Sequence, residues 1–297
     1  MTICFPDGLE AGSVVLSASD LTQLSLDCGL GYVLVSLDIG FPEERPVVRG
    51  RALADGVYDD SKFLGRRAIT VTIRLNNQIA SSQALIDRLL AFMSQRRRPT
   101  LTWALAGSPT EFRSVVVRGV NAPISVNNPK YPTIVCSFVT EDAYLSSSAE
   151  TCVILDPNNP EPEVGRVYNL TFNRVYVPTP PVGGIYITNT GTAPANWTGT
   201  LRYNAINPLI TVGSTIMDFS QNGGINLITG QTLVIDTKAR TILLNGDPTL
   251  SRYDRVNFED WSWDDLLLQP GSNLVRLQGS GFTFSTQLEF CWLDNWF

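Results

Sequence analysis

The chain has 297 residues, 43% of them hydrophobic and 17% charged, with a net charge of −6, five cysteines and no histidine. That length suggests two domains, with enough apolar material for ordinary cores and too little charge for a disordered chain. The missing histidine removes Ser-His-Asp and Cys-His nucleophilic sites and most zinc and non-haem iron sites, and an acidic chain is a poor candidate for phosphate backbones, whose binding depends on clustered Lys and Arg.

Met1 to Asp7 carries neither a basic nor an apolar segment, so no signal peptide is read there. No apolar run approaches the roughly 20 residues that span a bilayer. Residues 12–16, 21–26 and 31–39 read as short strands separated by Gly and Ser. Asp55-Gly56 and Asp59 to Lys62 read as a long polar connection. Ile69 to Leu75 alternates apolar and polar residues, which predicts a half-buried strand with Ile69, Val71, Ile73 and Leu75 inward. The period then changes. Leu85, Ile86, Leu89, Leu90 and Met93 form one helical stripe, Ser81 or Ser82 can cap it, and Pro99 forbids continuation, giving a helix over 82–95. Arg96-Arg97-Arg98 falls where that helix ends, where cations favour its dipole.

Strands resume at Thr100–Ala104, Phe112–Val120 and Thr133–Val139, and a first domain is expected to close near residue 147. Residues 148–184 read as a Pro-rich connection leading into a second domain, with Pro clusters at 156–163 and 177–184. From Ile185 to Phe297 short strands recur about every 8–12 residues with Gly, Asn or Pro between them, the signature of an antiparallel sandwich. The clearest hairpin is 230–246. Leu233–Ile235 and Ile242–Leu244 flank polar Asp236–Arg240, Asp236 suits the start of a turn, and Asn245-Gly246 supplies a second turn. Trp263–Leu268 predicts one short helical turn, and the aromatic end, Phe290 to Phe297, predicts packing into a core or against a neighbouring subunit.

The cysteines show no CxxC spacing, and an odd, dispersed set predicts free thiols in a reducing compartment. Cys136 alternates with Ile134 and Phe138 and reads as a small core residue. Neither GxxxxGK[ST] nor GxGxxG occurs. Asp254, Glu259, Asp260, Asp264 and Asp265 cluster around Trp261 and Trp263. Carboxylates beside aromatic faces are what sugar chemistry uses, but a glycosidase pair normally comes from separate walls of a cleft, so a solvated or interface loop is the simpler reading. The spacing does not match a calcium loop.

In their order and spacing, several segments resemble the distal tail protein of long, non-contractile-tailed bacteriophages. In the first half these are Gly65-Arg-Arg-Ala-Ile-Thr-Val-Thr-Ile73 running into the helix, and the strand ending Cys136-Ser-Phe-Val-Thr-Glu-Asp-Ala-Tyr144, where Ala143 stands in place of the family's proline. In the second half they are Ile187 to Ala195, Asn207-Pro-Leu-Ile210, the 230–246 hairpin and Leu268 to Asn273. The resemblance implies a mainly β chain: an N-terminal β-sandwich or split barrel with one α-helix, like tail-tube proteins, over 1–147, and a C-terminal galectin-like β-sandwich over 185–297. It also implies a homohexameric ring at the virion's tail tip, assembled in the host cytoplasm. Its partners would be the tail-tube protein, the tip hub protein and receptor-binding or side-fibre proteins. No enzyme activity, cofactor or metal is implied. The genome would pass through the lumen, and an acidic wall would let DNA slide. The alternative is a lectin-like protein whose C-terminal sandwich stacks sugars on Trp197, Trp261 and Trp263. A third reading is a polysaccharide depolymerase.

Overall fold

The computed structural model describes residues 14–18, 23–26, 28–50, 57–94, 98–104, 111–125, 131–140, 142–157, 183–258 and 261–297, with backbone alone for Cys28, 44–50 and 57–63. The chain divides into two compact units, Met1–Ser148 with Phe297, and Ala149–Trp296. It is mainly β throughout, in antiparallel sheets, with one α-helix among the described residues.

The first unit contains β1 (Val14–Ser17), β2 (Gln23–Ser25), β3 (Tyr32–Ile39), β4 (Glu44–Gly50), β5 (Val57–Leu64), β6 (Ala68–Leu75), α1 (Ser82–Met93), β7 (Thr100–Trp103), β8 (Arg113–Asn121), β9 (Ile124–Ser125), β10 (Thr133–Thr140) and β11 (Leu145–Ser147). Its main sheet runs β2-β1-β7-β8-β10-β6-β3. The long strand β8 turns the corner: Arg113–Val116 pairs with β7, and Val117–Asn121 pairs with β10 across a bulge at Ser137/Phe138. The alternation read in β6 holds, since Ile69, Val71, Ile73 and Leu75 are all fully buried. Each of the first three faces a buried partner on β10, with Ile69 opposite Phe138, Val71 opposite Cys136 and Ile73 opposite Ile134. Burial pushes the Cys136 thiol up to about 12, so it stays a neutral core group.

Helix α1 begins at N-cap Ser81, whose hydroxyl accepts from the Ala84 N–H. Its buried stripe is Leu85, Leu89, Phe92 and Met93. The sequence had placed Leu90 inward, yet it is 40% exposed. Spacing of four, three and one from Leu85 puts Phe92 on the covered face, and Leu90 lies a hundred degrees past Leu89. The helix ends at Met93, two residues before the expected limit. The Met93 carbonyl lies so close to Gly119 of β8 that a Cβ there would stand 2.4 Å from it. Tyr32 fixes the other end by donating its hydroxyl to the Leu85 carbonyl at 2.9 Å. One further reading needs correction: Asp59 to Lys62 lie inside strand β5, paired with β4, rather than in an open connection. Asp55 and Gly56 fall outside the described residues, as do Arg96 and Arg97.

The second unit contains β12 (Thr151–Leu155), β13 (Gly184–Asn189), β14 (Trp197–Arg202), β15 (Ala205–Val212), β16 (Thr215–Asp218), β17 (Asn226–Leu227), β18 (Thr232–Asp236), β19 (Thr241–Leu244), β20 (Gly271–Ser280), β21 (Gln287–Trp292) and β22 (Asn295–Trp296). One sheet runs β12-β21-β14-β18-β19 and the other β13-β20-β15-β16, with β17 on β15. Leu201, Leu233, Ile235, Leu288 and Phe290 from the first meet Ile187, Ile210, Val212, Val275 and Leu277 from the second in one core. Most of the two Pro-rich clusters, 158–182, lies outside the described residues.

The hairpin at 230–246 forms as read. Strands β18 and β19 pair from Leu233 opposite Leu244 to Asp236 opposite Thr241. The Asp236 carboxylate accepts from the Ala239 N–H at 2.8 Å and closes the first turn. Asn245 and Gly246 both take positive φ, 56° and 69°, the pair of angles a tight primed turn needs. The terminal aromatics divide: Phe290 and Trp292 are buried, whereas Phe297 is 49% exposed.

The cysteine reading is overturned at one pair. Cys152 and Cys291 are disulfide-bonded across β12 and β21, directly opposite each other in register. They are 139 residues apart in sequence, a separation that no local motif signals.

Candidate functional site

The carboxylate and tryptophan cluster singled out from sequence gathers around a short helical turn, Trp263–Leu266, in the second unit. A capping box builds that turn. The Asp265 carboxylate accepts from the Ser262 N–H at 2.8 Å and from its hydroxyl at 2.9 Å. Those two bonds hold the Asp265 carboxyl below the ordinary carboxylate range. Four rings pack beside the turn. Tyr253 stacks on Phe258 with centroids 4.5 Å apart, Phe258 meets Trp261 at 4.6 Å, and Trp263 lies 6.0 Å from both Tyr253 and Phe258. The Trp263 indole N–H points at the Tyr253 hydroxyl, 3.3 Å away.

The three candidate tryptophans differ in what they expose. Trp197 is 1% exposed: its ring stacks on Phe290 at 4.5 Å, and its N–H donates to the Leu266 carbonyl at 2.7 Å. Trp263 is 6% exposed and also core. Both rings are used for packing, so neither offers a face to a sugar, and this corrects their reading as stacking platforms. Trp261 is partly open at the rim of the aromatic group. Trp197 was misread because an apolar face at a strand start looks the same in sequence whether it points in or out.

The carboxylates are likewise occupied. Asp264 pairs with Arg240 at 3.1 Å, Asp254 pairs with Arg255 at 3.2 Å, and Asp265 serves the cap. Arg255 also donates to the Asn222 carbonyl. Glu259 and Asp260 lie outside the described residues. Each described carboxylate of the cluster thus has a partner of its own, an arrangement suited to holding loops in place and presenting a surface. Two hollows adjoin at Asn226 and Leu227: one of about 350 Å³ also lined by Asn204, Ile206, Ile228 and Thr229, the other of about 290 Å³ also lined by Gln231, Leu244, Arg252 and Arg255.

The only group of metal-capable side chains among the described residues is Glu150 with Cys152 and Cys291, whose ligand atoms lie within 4.8 Å of one another. With the sulfurs bonded to each other, no thiolate remains there to bind an ion. Sequence reading missed this cluster entirely.

Neither a protein-family model nor a curated protein matches the chain. Solved structures do. The SPP1 Dit protein, described as a paradigm of the hub adsorption apparatus in Gram-positive infecting phages, superposes with a TM-score of 0.61 at 11% identity, over 96% of this chain and 99% of that one. The chain has the SPP1 Dit fold. Phage P2 baseplate structures in the activated conformation also match, with calcium at TM-score 0.46 and 9% identity, and with strontium at 0.43 and 10%. Each of those two covers 94% of this chain and 97% of the other.

Proposed function

We propose that this protein is a structural component of the tail tip of a long, non-contractile-tailed bacteriophage. It forms a ring of six that joins the tail tube to the tip hub and anchors receptor-binding components, and it performs no catalysis. The observation that carries the reading is the end-to-end match to SPP1 Dit, which takes in both units and leaves almost nothing of either chain over. The sequence-level resemblance to distal tail proteins, reached from segments in both halves, points the same way. So does a candidate site whose described carboxylates are all committed to caps and ion pairs.

A ring needs a head-to-tail interface that closes on itself. The first unit is the proposed ring former, and its outward apolar residues Val116, Val120 and Ile124, each more than 40% exposed, are suited to such contacts. The test is light scattering and negative-stain imaging of the full chain, alone and mixed with tail-tube and hub proteins. Six-membered rings, alone or in the mixture, are the expected outcome. A protein that stays monomeric and binds neither component sinks the proposal. The lectin-like alternative now rests on Trp261 alone, and a glycan array comparing wild type with Trp261→Ala decides it.

A further inference from the structure

The Cys152–Cys291 bond sits at an unusual place in the second unit. It joins that unit's first strand, β12, to its last long strand, β21, so it closes nearly the whole unit into one covalent loop. Among the described residues, strand β12 is the outer strand of its sheet and pairs there with β21. Thr151, Cys152 and Ile154 are exposed, Ile154 to 61%, Val153 is half-buried against the core, and Leu155 alone is fully buried in it. An edge strand with one buried side chain opens easily. Cys291 is buried but Cys152 is exposed, so the bond is open to small thiols from the Cys152 side, and such a disulfide is the kind that redox buffers reach. Cys136 provides the contrast, being fully buried and held neutral.

We propose that Cys152–Cys291 is a redox staple for β12: open where thiols are abundant, closed in oxidising surroundings, and deciding whether the edge strand stays on its sheet. Closure proceeds by exchange with a small-molecule disulfide such as oxidised glutathione. The Cys152 thiolate attacks one sulfur of that disulfide and expels the first small thiolate. The Cys291 thiolate then attacks Cys152 Sγ in the mixed disulfide and expels the second. Two protein thiols and one small disulfide become one protein disulfide and two small thiols, which take up the two protons. The timing rests on the proposed tail-tip role, since a virion protein made in a reducing cytoplasm later meets an oxidising exterior.

The test equilibrates the full chain in glutathione buffers from cytosolic to oxidising poise. EDTA is present to keep any thiophilic ion off Glu150 and the two free thiols, whose ligand atoms lie within 4.8 Å of one another. Peptide mapping by mass spectrometry reads the crosslink, and amide hydrogen exchange reads the strand. The expected result is an open bond at cytosolic poise and a closed one under oxidising conditions. Opening should speed exchange of the amides of 151–155 by about 10-fold or more and leave β14 and β18 unchanged. Cys152→Ser should exchange fast under both conditions. A bond that survives cytosolic poise in folded protein overturns the proposal. So does one that never forms, a β12 whose exchange ignores the bond, or loss of protection across the whole unit. None of these readouts depends on ring assembly, so failure of the staple and failure of the tail-tip reading are distinguishable.

Discussion

The two units reach stable β structure by different means. In the first, β6 and β10 alternate strictly, their inward residues are almost all aliphatic or aromatic, and one helix covers part of the sheet. In the second, the facing sheets share a largely aliphatic core with Trp197, Phe219 and Phe290 fully buried in it, and buried polar side chains tie the loops to it. Asn189 is 1% exposed and donates to the carbonyls of Ala193 and Leu268 at 2.9 and 3.0 Å while accepting from the Gly191 N–H. Thr237 bridges both backbone groups of Trp197, and Asn273 ties down Gln269 and Gly271. The lesson is that the first unit should be sensitive chiefly to lost volume, and the second to lost volume and lost hydrogen bonds alike.

The sharpest way to break that contrast is Trp197→Ala. It removes a fully buried ring stacked on Phe290 and leaves the Leu266 carbonyl without its donor. A loss of about 3–5 kcal/mol is expected, near the top of the range for aromatic truncation. Hydrogen exchange should show protection falling in the second unit. Leu89→Ala is the counterpart in the first unit. Leu89 is fully buried on α1, so truncation costs roughly 2–5 kcal/mol, mainly as a cavity. Here Leu89→Met should restore most of the loss, because only volume is at stake. Asn189→Ala comes next at about 1–3 kcal/mol, the cost of leaving buried polar groups unpaired. Asn189→Asp keeps the size but cannot donate, so it should rescue nothing. An Asn189→Asp variant as stable as wild type would erase the distinction between the units.

This division also explains what could be read in advance. Alternation in β6, the cap at Ser81 and the turns at Asp236 and Asn245-Gly246 are local, and each formed as expected. Strand β5 was missed because Tyr58 to Lys62 is polar and carries no alternation, and only its pairing with β4 makes it a strand. The stripe on α1 was half right, since a sheet that covers the face holding Phe92 excludes Leu90. At the candidate site, composition found the carboxylates and tryptophans but not which way they point. The disulfide was illegible because partners 139 residues apart meet only through the register of β12 on β21.

The smallest expected effect isolates a charge at the candidate site. The folded-state pKa of Asp265 is depressed by the Ser262 N–H and hydroxyl, so its contribution is fully present above the unfolded carboxylate value, about 3.9, and is lost as pH falls through the folded value. Asp265→Asn keeps the shape and one acceptor but removes the charge. Thermal midpoints of wild type and variant should therefore differ modestly at neutral pH, with wild type higher, and the gap should narrow as the pH falls below about 4. Asp247, held low by Thr249, titrates in the same acid range, but it is present in both proteins and cancels in the difference. A gap that does not change between neutral and acid pH would mean that the cap acts through packing of the turn alone. The second unit's polar side chains would then stabilise it by shape, as the first unit's apolar ones do.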